Sequence, residues 1–67
     1  MRAVFVSKEK FGIERFYPNN SIAYELCDLI GMKTLEKRYI EKANNLGIEI
    51  QIYQGTDILL FPATPIE

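Results

Sequence analysis

The chain reads as an α+β domain of order β-β-α-α-β-β, with two helices packed on a small antiparallel sheet. Three observations predict that class. Two amphipathic helical patterns lie between Asn19 and Gly47, joined by the three residues Gly31-Met32-Lys33. A clean alternation, Ile48-Glu49-Ile50-Gln51-Ile52-Tyr53, follows them and leads through a turn into a second apolar run. Ahead of them, two β-rich segments flank a charged loop that ends in glycine. The 67 residues form one small domain, and 48% hydrophobic against 25% charged marks it as globular rather than disordered.

Taken in order, Arg2–Lys8 holds Ala3-Val4-Phe5-Val6, apolar and β-branched enough for a strand. Lys8-Glu9-Lys10-Phe11-Gly12 suits a loop, and Ile13–Tyr17 returns as the second strand of a hairpin. Pro18 stops it. The first helix is expected over Asn20–Gly31, because Asn20 or Ser21 can cap the free N–H groups and Gly31 supplies a left-handed end. Ile22, Ala23, Leu26, Cys27, Leu29 and Ile30 share its apolar face, with Glu25 and Asp28 opposite.

The second helix is expected over Thr34–Leu46, with Thr34 as its N-cap and Glu36 in the first turn. Leu35, Tyr39, Ile40, Ala43 and Leu46 fall on one side. Lys37, Arg38, Glu41, Asn44 and Asn45 fall on the other, and Gly47 ends the helix. Ile48–Tyr53 then pairs with Ile58–Phe61 across Gln54-Gly55-Thr56-Asp57. Residues 62–67, with Pro62 and Pro65, read as an irregular tail. Leu26 and the row Ile48, Ile50 and Ile52 are the expected core. Filling it takes nearly every large aliphatic side chain, which leaves Phe11, Phe16, Tyr17, Tyr24 and Tyr53 as surplus aromatics for the surface.

Composition narrows the function. The chain has no histidine, its carboxylates are dispersed, and no glycine loop is built to cradle phosphate. An enzyme is therefore not expected, nor is a metal or cofactor. Glu25 and Asp28 share a helix face that they solvate. The apolar run Ile58–Phe61, closed by Pro62, is far short of a membrane span, and nothing reads as a signal peptide. Cys27 is the single cysteine and lies on an apolar face, so it reads as a buried thiol in a reducing, cytoplasmic compartment. The net charge of −1 gives no general attraction to nucleic acid, although residues 1–20 and 33–46 each carry an excess of two positive charges.

Asn19–Gly47 followed by Ile48–Phe61 resembles the small winged helix-turn-helix regulators of the phage or mobile-element type. Gly31 stands at the turn between apolar Ile30 and Met32, with Leu26 five residues earlier and Ile40 in the second helix. Lys37 and Cys27 depart from the aliphatic residue and the alanine common at those positions, and a hairpin replaces the usual preceding helix. The resemblance implies double-stranded DNA as partner. Thr34, Lys37, Arg38, Glu41, Asn44 and Asn45 would form the reading face, while Lys33 at the turn and Gln54 and Thr56 on the wing touch the backbone.

The competing expectation is a protein-binding module, an inhibitor or adaptor that meets a host or regulatory protein. Its contact surface would be an exposed sheet face or edge strand with Phe16, Tyr17 and Tyr53 as aromatic anchors. A homodimer contact would use the same kind of surface.

Overall fold

A computed structural model describes residues 1–64 of the chain. Its elements run β1 (Arg2–Lys10), β2 (Ile13–Pro18), α1 (Ser21–Ile30), α2 (Arg38–Asn45), β3 (Glu49–Gln54) and β4 (Asp57–Phe61). The β-β-α-α-β-β order and the α+β class are those expected. Of the expected tail, residues 62–64 carry no regular structure and residues 65–67 lie outside the described residues.

The four strands form one sheet in the order β2-β1-β3-β4. Both hairpins are antiparallel, but the central pair is parallel, with Ala3 beside Ile50 and Phe5 beside Ile52. The sheet is therefore mixed rather than purely antiparallel. The cause is the connection: parallel neighbours need a long crossover, and β2 with the two helices supplies it. Ala3, Phe5, Ile50 and Ile52 in these central strands are fully buried.

Both helices lie on one face of the sheet, α1 over β1 and β2, and α2 over β3. Ala23, Leu26 and Cys27 of α1 join Ile40 and Ala43 of α2 in one core with Phe5, Phe16, Ile50 and Ile52. The first helix is bounded as its sequence suggests. The Asn20 side chain accepts from the Ala23 N–H, and Gly31 takes φ 71°, a left-handed value that glycine adopts without steric cost.

The second helix starts later than expected. Leu35 donates its N–H to the Phe16 carbonyl at 2.8 Å and accepts from the Phe16 N–H at 3.4 Å, so the chain is held extended there. Helical hydrogen bonding begins only beyond it, and Lys37 rather than Thr34 occupies the N-cap, with no side-chain cap bond. The inter-helix link is thus residues 31–37, not a three-residue turn. Leu35 is fully buried, yet from this link rather than from a helix face.

The core also takes fewer aliphatics than expected. Leu29 sits at the edge of the α1 stripe and is 73% exposed. Leu46, which follows the last turn of α2 with φ −87° and ψ 5°, is 66% exposed. Phe16, expected at the surface, is buried at 3% because its β2 position faces the helices.

Candidate interaction surfaces

Side chains alternate across a strand, so the face away from the helices carries the even positions of β1 and the odd positions of β2. The register assembles them. Tyr17 lies beside Val6, Val6 beside Tyr53, and Tyr53 beside Ile58, a row crossing all four strands. Val4, Gln51 and Leu60 form the next row. No described element covers this face. Ile58 is 59% exposed, Leu60 51% and Tyr53 38%, while Val4, Val6 and Tyr17 are half-buried by their neighbours.

The same alternation separates charge. Arg2, Lys8, Lys10 and Arg15 all fall on the open face, and Glu9 and Glu14 fall on the other. Among the described residues the one carboxylate of the open face is Glu49, which is paired with Arg2 at 2.9 Å. Lys8, Lys10 and Arg15 therefore leave a cationic rim beside the aromatic row. The Lys8 ammonium lies 5.3 Å from the centre of the Tyr17 ring, and the Tyr53 hydroxyl accepts from Gln51 Nε2 at 2.9 Å. Each tyrosine thus has a cationic or polar neighbour on the open face.

The β1–β2 hairpin extends this surface. Its two-residue turn is Phe11-Gly12, with φ of 54° and 77°. Both values are positive, as in a type I′ turn, where asparagine and glycine are the usual residues. A bulky ring in that conformation is sterically costly, and Phe11 is fully exposed at the tip, with Ile13 54% exposed next to it.

The residues expected to read DNA are spread over different environments. Lys33 and Asn45 are exposed. Lys37 is exposed and lies 4.0 Å from Glu14, and Arg38 is bonded to Glu36 at 3.0 Å while its guanidinium stacks over Tyr39 at 4.8 Å. Thr34 is buried at 6% in the extended link, where a base edge cannot reach it. Asn44 is half-buried and its Nδ2 donates to the carbonyls of Ile48 at 2.9 Å and Phe61 at 3.1 Å. That side chain ties α2 to the residue just before β3 and to the last residue of β4. The hairpin itself is built into the sheet through β1, and its Gln54 donates to Glu14.

A groove of about 510 Å³ opens on the helix side between α2 and the β3–β4 end of the sheet. Ile40, Ile52, Leu59 and Phe61 line it, and Glu14, Lys37, Glu41 and Asn44 give it a polar rim. Glu14 Oε2 accepts from Ser7 and Gln54, and its Oε1 lies 4.0 Å from the Lys37 ammonium. No group of three or more potential metal-ligating side chains comes together among the described residues. Nor is any described helix long and apolar enough to cross a membrane. Burial pushes the Cys27 thiol above its ordinary pKa, which keeps it protonated and unreactive.

Comparison with protein-family models, curated proteins and solved structures found no match, so the geometry alone bears on function.

Of the anchors expected from the sequence, Tyr17 and Tyr53 come together on the open face and Phe16 does not. Phe11, expected at the surface, is fully exposed there, whereas sequence reasoning missed Val4, Val6, Ile58, Leu60 and Ile13 as surface contributors. The charge pattern was the available signal, because Arg2, Lys8 and Lys10 share parity along β1 with Val4 and Val6.

Proposed function

We propose that this chain is a non-enzymatic binding module of a reducing, cytoplasmic setting, which docks a protein partner on the open face of its sheet. The observation that carries this reading is the uncovered row Tyr17, Val6, Tyr53 and Ile58 beside the cationic rim of Lys8, Lys10 and Arg15. Aromatic anchors next to aliphatic contacts make a binding hot spot, and the rim selects a partner whose complementary patch is bordered by carboxylates. Phe11 at the hairpin tip adds a further anchor whose backbone strain is explained by contact rather than by folding.

A second reading, duplex DNA binding through α2, draws on the exposed cations Lys33, Lys37 and Arg38 and on exposed Asn45. One set of variants separates the two. Affinity capture should recover a protein that also binds in purified form, with binding lost in Tyr53→Ala and Arg15→Glu and kept in the Lys37→Ala/Arg38→Ala double variant. The opposite pattern, with low-salt duplex binding abolished by the double variant, would replace the first reading by the second.

A further inference from the structure

The two edges of the sheet are treated differently. Along β2, Phe16 is paired with Leu35 in both directions, and Pro18 closes the strand. The outer edge of β4 has no partner among the described residues. Its sequence, Asp57-Ile58-Leu59-Leu60-Phe61, contains none of the lysines or internal prolines that keep edge strands from pairing. Leu59 is 36% exposed on the helix side, and Ile58 and Leu60 are more exposed on the open side.

We infer that β4 pairs antiparallel with β4 of a second copy of this chain, joining two four-stranded sheets into one of eight strands. The hydrogen-bond register supports a self-pairing and selects one. Gln54 and Asp57 close a two-residue turn, so Gln54–Asp57, Ile52–Leu59 and Ile50–Phe61 are the bonded pairs inside the hairpin. The N–H and C=O groups of Ile58 and Leu60 therefore point outward. A two-fold axis at Leu59 sets Ile58 opposite the Leu60 of the second copy and makes four backbone hydrogen bonds. An axis at Leu60 would instead oppose Ile58 to Pro62, which has no N–H to give. An axis at Ile58 would oppose Leu60 to Thr56, inside the turn.

The side chains agree with the register at Leu59. Ile58 and Leu60 of both copies meet on the open face, and the two Leu59 side chains meet on the helix side beside the groove. Asp57 faces Phe61 of the other copy, so no like charges are opposed. An isologous contact of this kind closes after two copies, and it leaves Tyr17 and the cationic rim of each copy free.

Sedimentation of the full chain over a concentration series tests this. The expected result is a rise from 7.8 kDa to twice that mass. Leu60→Pro should abolish the rise, since it removes only an outward N–H, and an unchanged far-UV spectrum will show that the fold is intact. Leu60→Lys, a milder change at an exposed position, should shift the dimer constant by at least tenfold and serves if the proline variant does not fold. Leu59→Cys should form an inter-copy disulfide on oxidation, because facing residues of a non-bonded pair sit about 4.5 Å apart at Cα. Ile58→Cys should not. A parent chain still monomeric at about 1 mM overturns the inference, as does a dimer that survives both Leu60 variants. Cross-linking through Ile58→Cys in place of Leu59→Cys overturns the register.

Discussion

Asn20→Ala is the sharpest test of how the helices are fixed to the sheet. β2 ends at Pro18, but β1 still has backbone groups directed toward it. The Asn20 side chain continues the missing ladder: Oδ1 accepts from the Val4 N–H at 3.1 Å, and Nδ2 donates to the Arg2 carbonyl at 3.0 Å. The same Oδ1 caps α1 by accepting from the Ala23 N–H at 2.9 Å. Losing a cap costs about 1 kcal/mol. The half-buried Val4 N–H adds about 1 kcal/mol when left unpaired, and the more exposed Arg2 carbonyl adds less because water replaces the side chain. Asn20→Ala should therefore cost about 2–3 kcal/mol, a large share of the roughly 3–10 kcal/mol expected for a domain of 67 residues. Asn20→Asp keeps both acceptor bonds and places a carboxylate at a helix N-terminus, so its net cost should stay below about 1 kcal/mol. Urea denaturation followed by far-UV circular dichroism will rank the variants, with unchanged slopes if the unfolded states match. An alanine variant within about 0.5 kcal/mol of the parent, or an aspartate variant as unstable as alanine, refutes the bridging role.

Other consequences of the packing are open to the same measurement. Leu26→Ala and Ile50→Ala, both in the core, should each cost about 2–5 kcal/mol, whereas alanine at exposed Leu29 or Leu46 should cost under about 0.5 kcal/mol. Phe11→Asn should raise stability by about 0.5–1 kcal/mol, since asparagine tolerates the left-handed turn position, and should weaken partner binding at the same time. Cys27 has a raised pKa in the folded chain, so the unfolded chain loses its thiol proton first as pH rises. Its contribution to stability is complete below the ordinary thiol range and declines as pH climbs through that range, which equilibrium unfolding at successive alkaline pH values will reveal. Thiol-reagent labelling at mildly alkaline pH should accordingly proceed at the rate of opening rather than at the rate of a free cysteine.

The local signals in the sequence were sound where the structure is local. Asn20 and Gly31 bound α1 as their capping chemistry requires, and the second hairpin follows its alternation of isoleucines. Thr34 shows where such signals stop. It is a good cap with an acidic residue two positions on, but Leu35 pairs with Phe16, nineteen positions earlier, and that contact holds the segment extended. The parallel pairing of β1 with β3 is equally non-local, and no residue in either strand announces it.

The open face was hidden for a different reason. In β1 both parities are apolar, Ala3 and Phe5 on one side and Val4 and Val6 on the other, so alternation alone does not say which side meets the helices. Phe5 wins because its odd parity aligns with Ile50 and Ile52, whose own alternation with Glu49 and Gln51 is unambiguous. Once that alignment is made, the cations follow without further assumption: Arg2, Lys8 and Lys10 share parity with the valines and must face away from the helices. β4 misleads in the opposite sense. Four consecutive apolar residues look like an interior strand, yet β4 pairs with β3 alone and stands at the edge. An edge strand that is apolar on both sides gains from a neighbour, and that is the physical ground on which the proposed pairing of two copies rests.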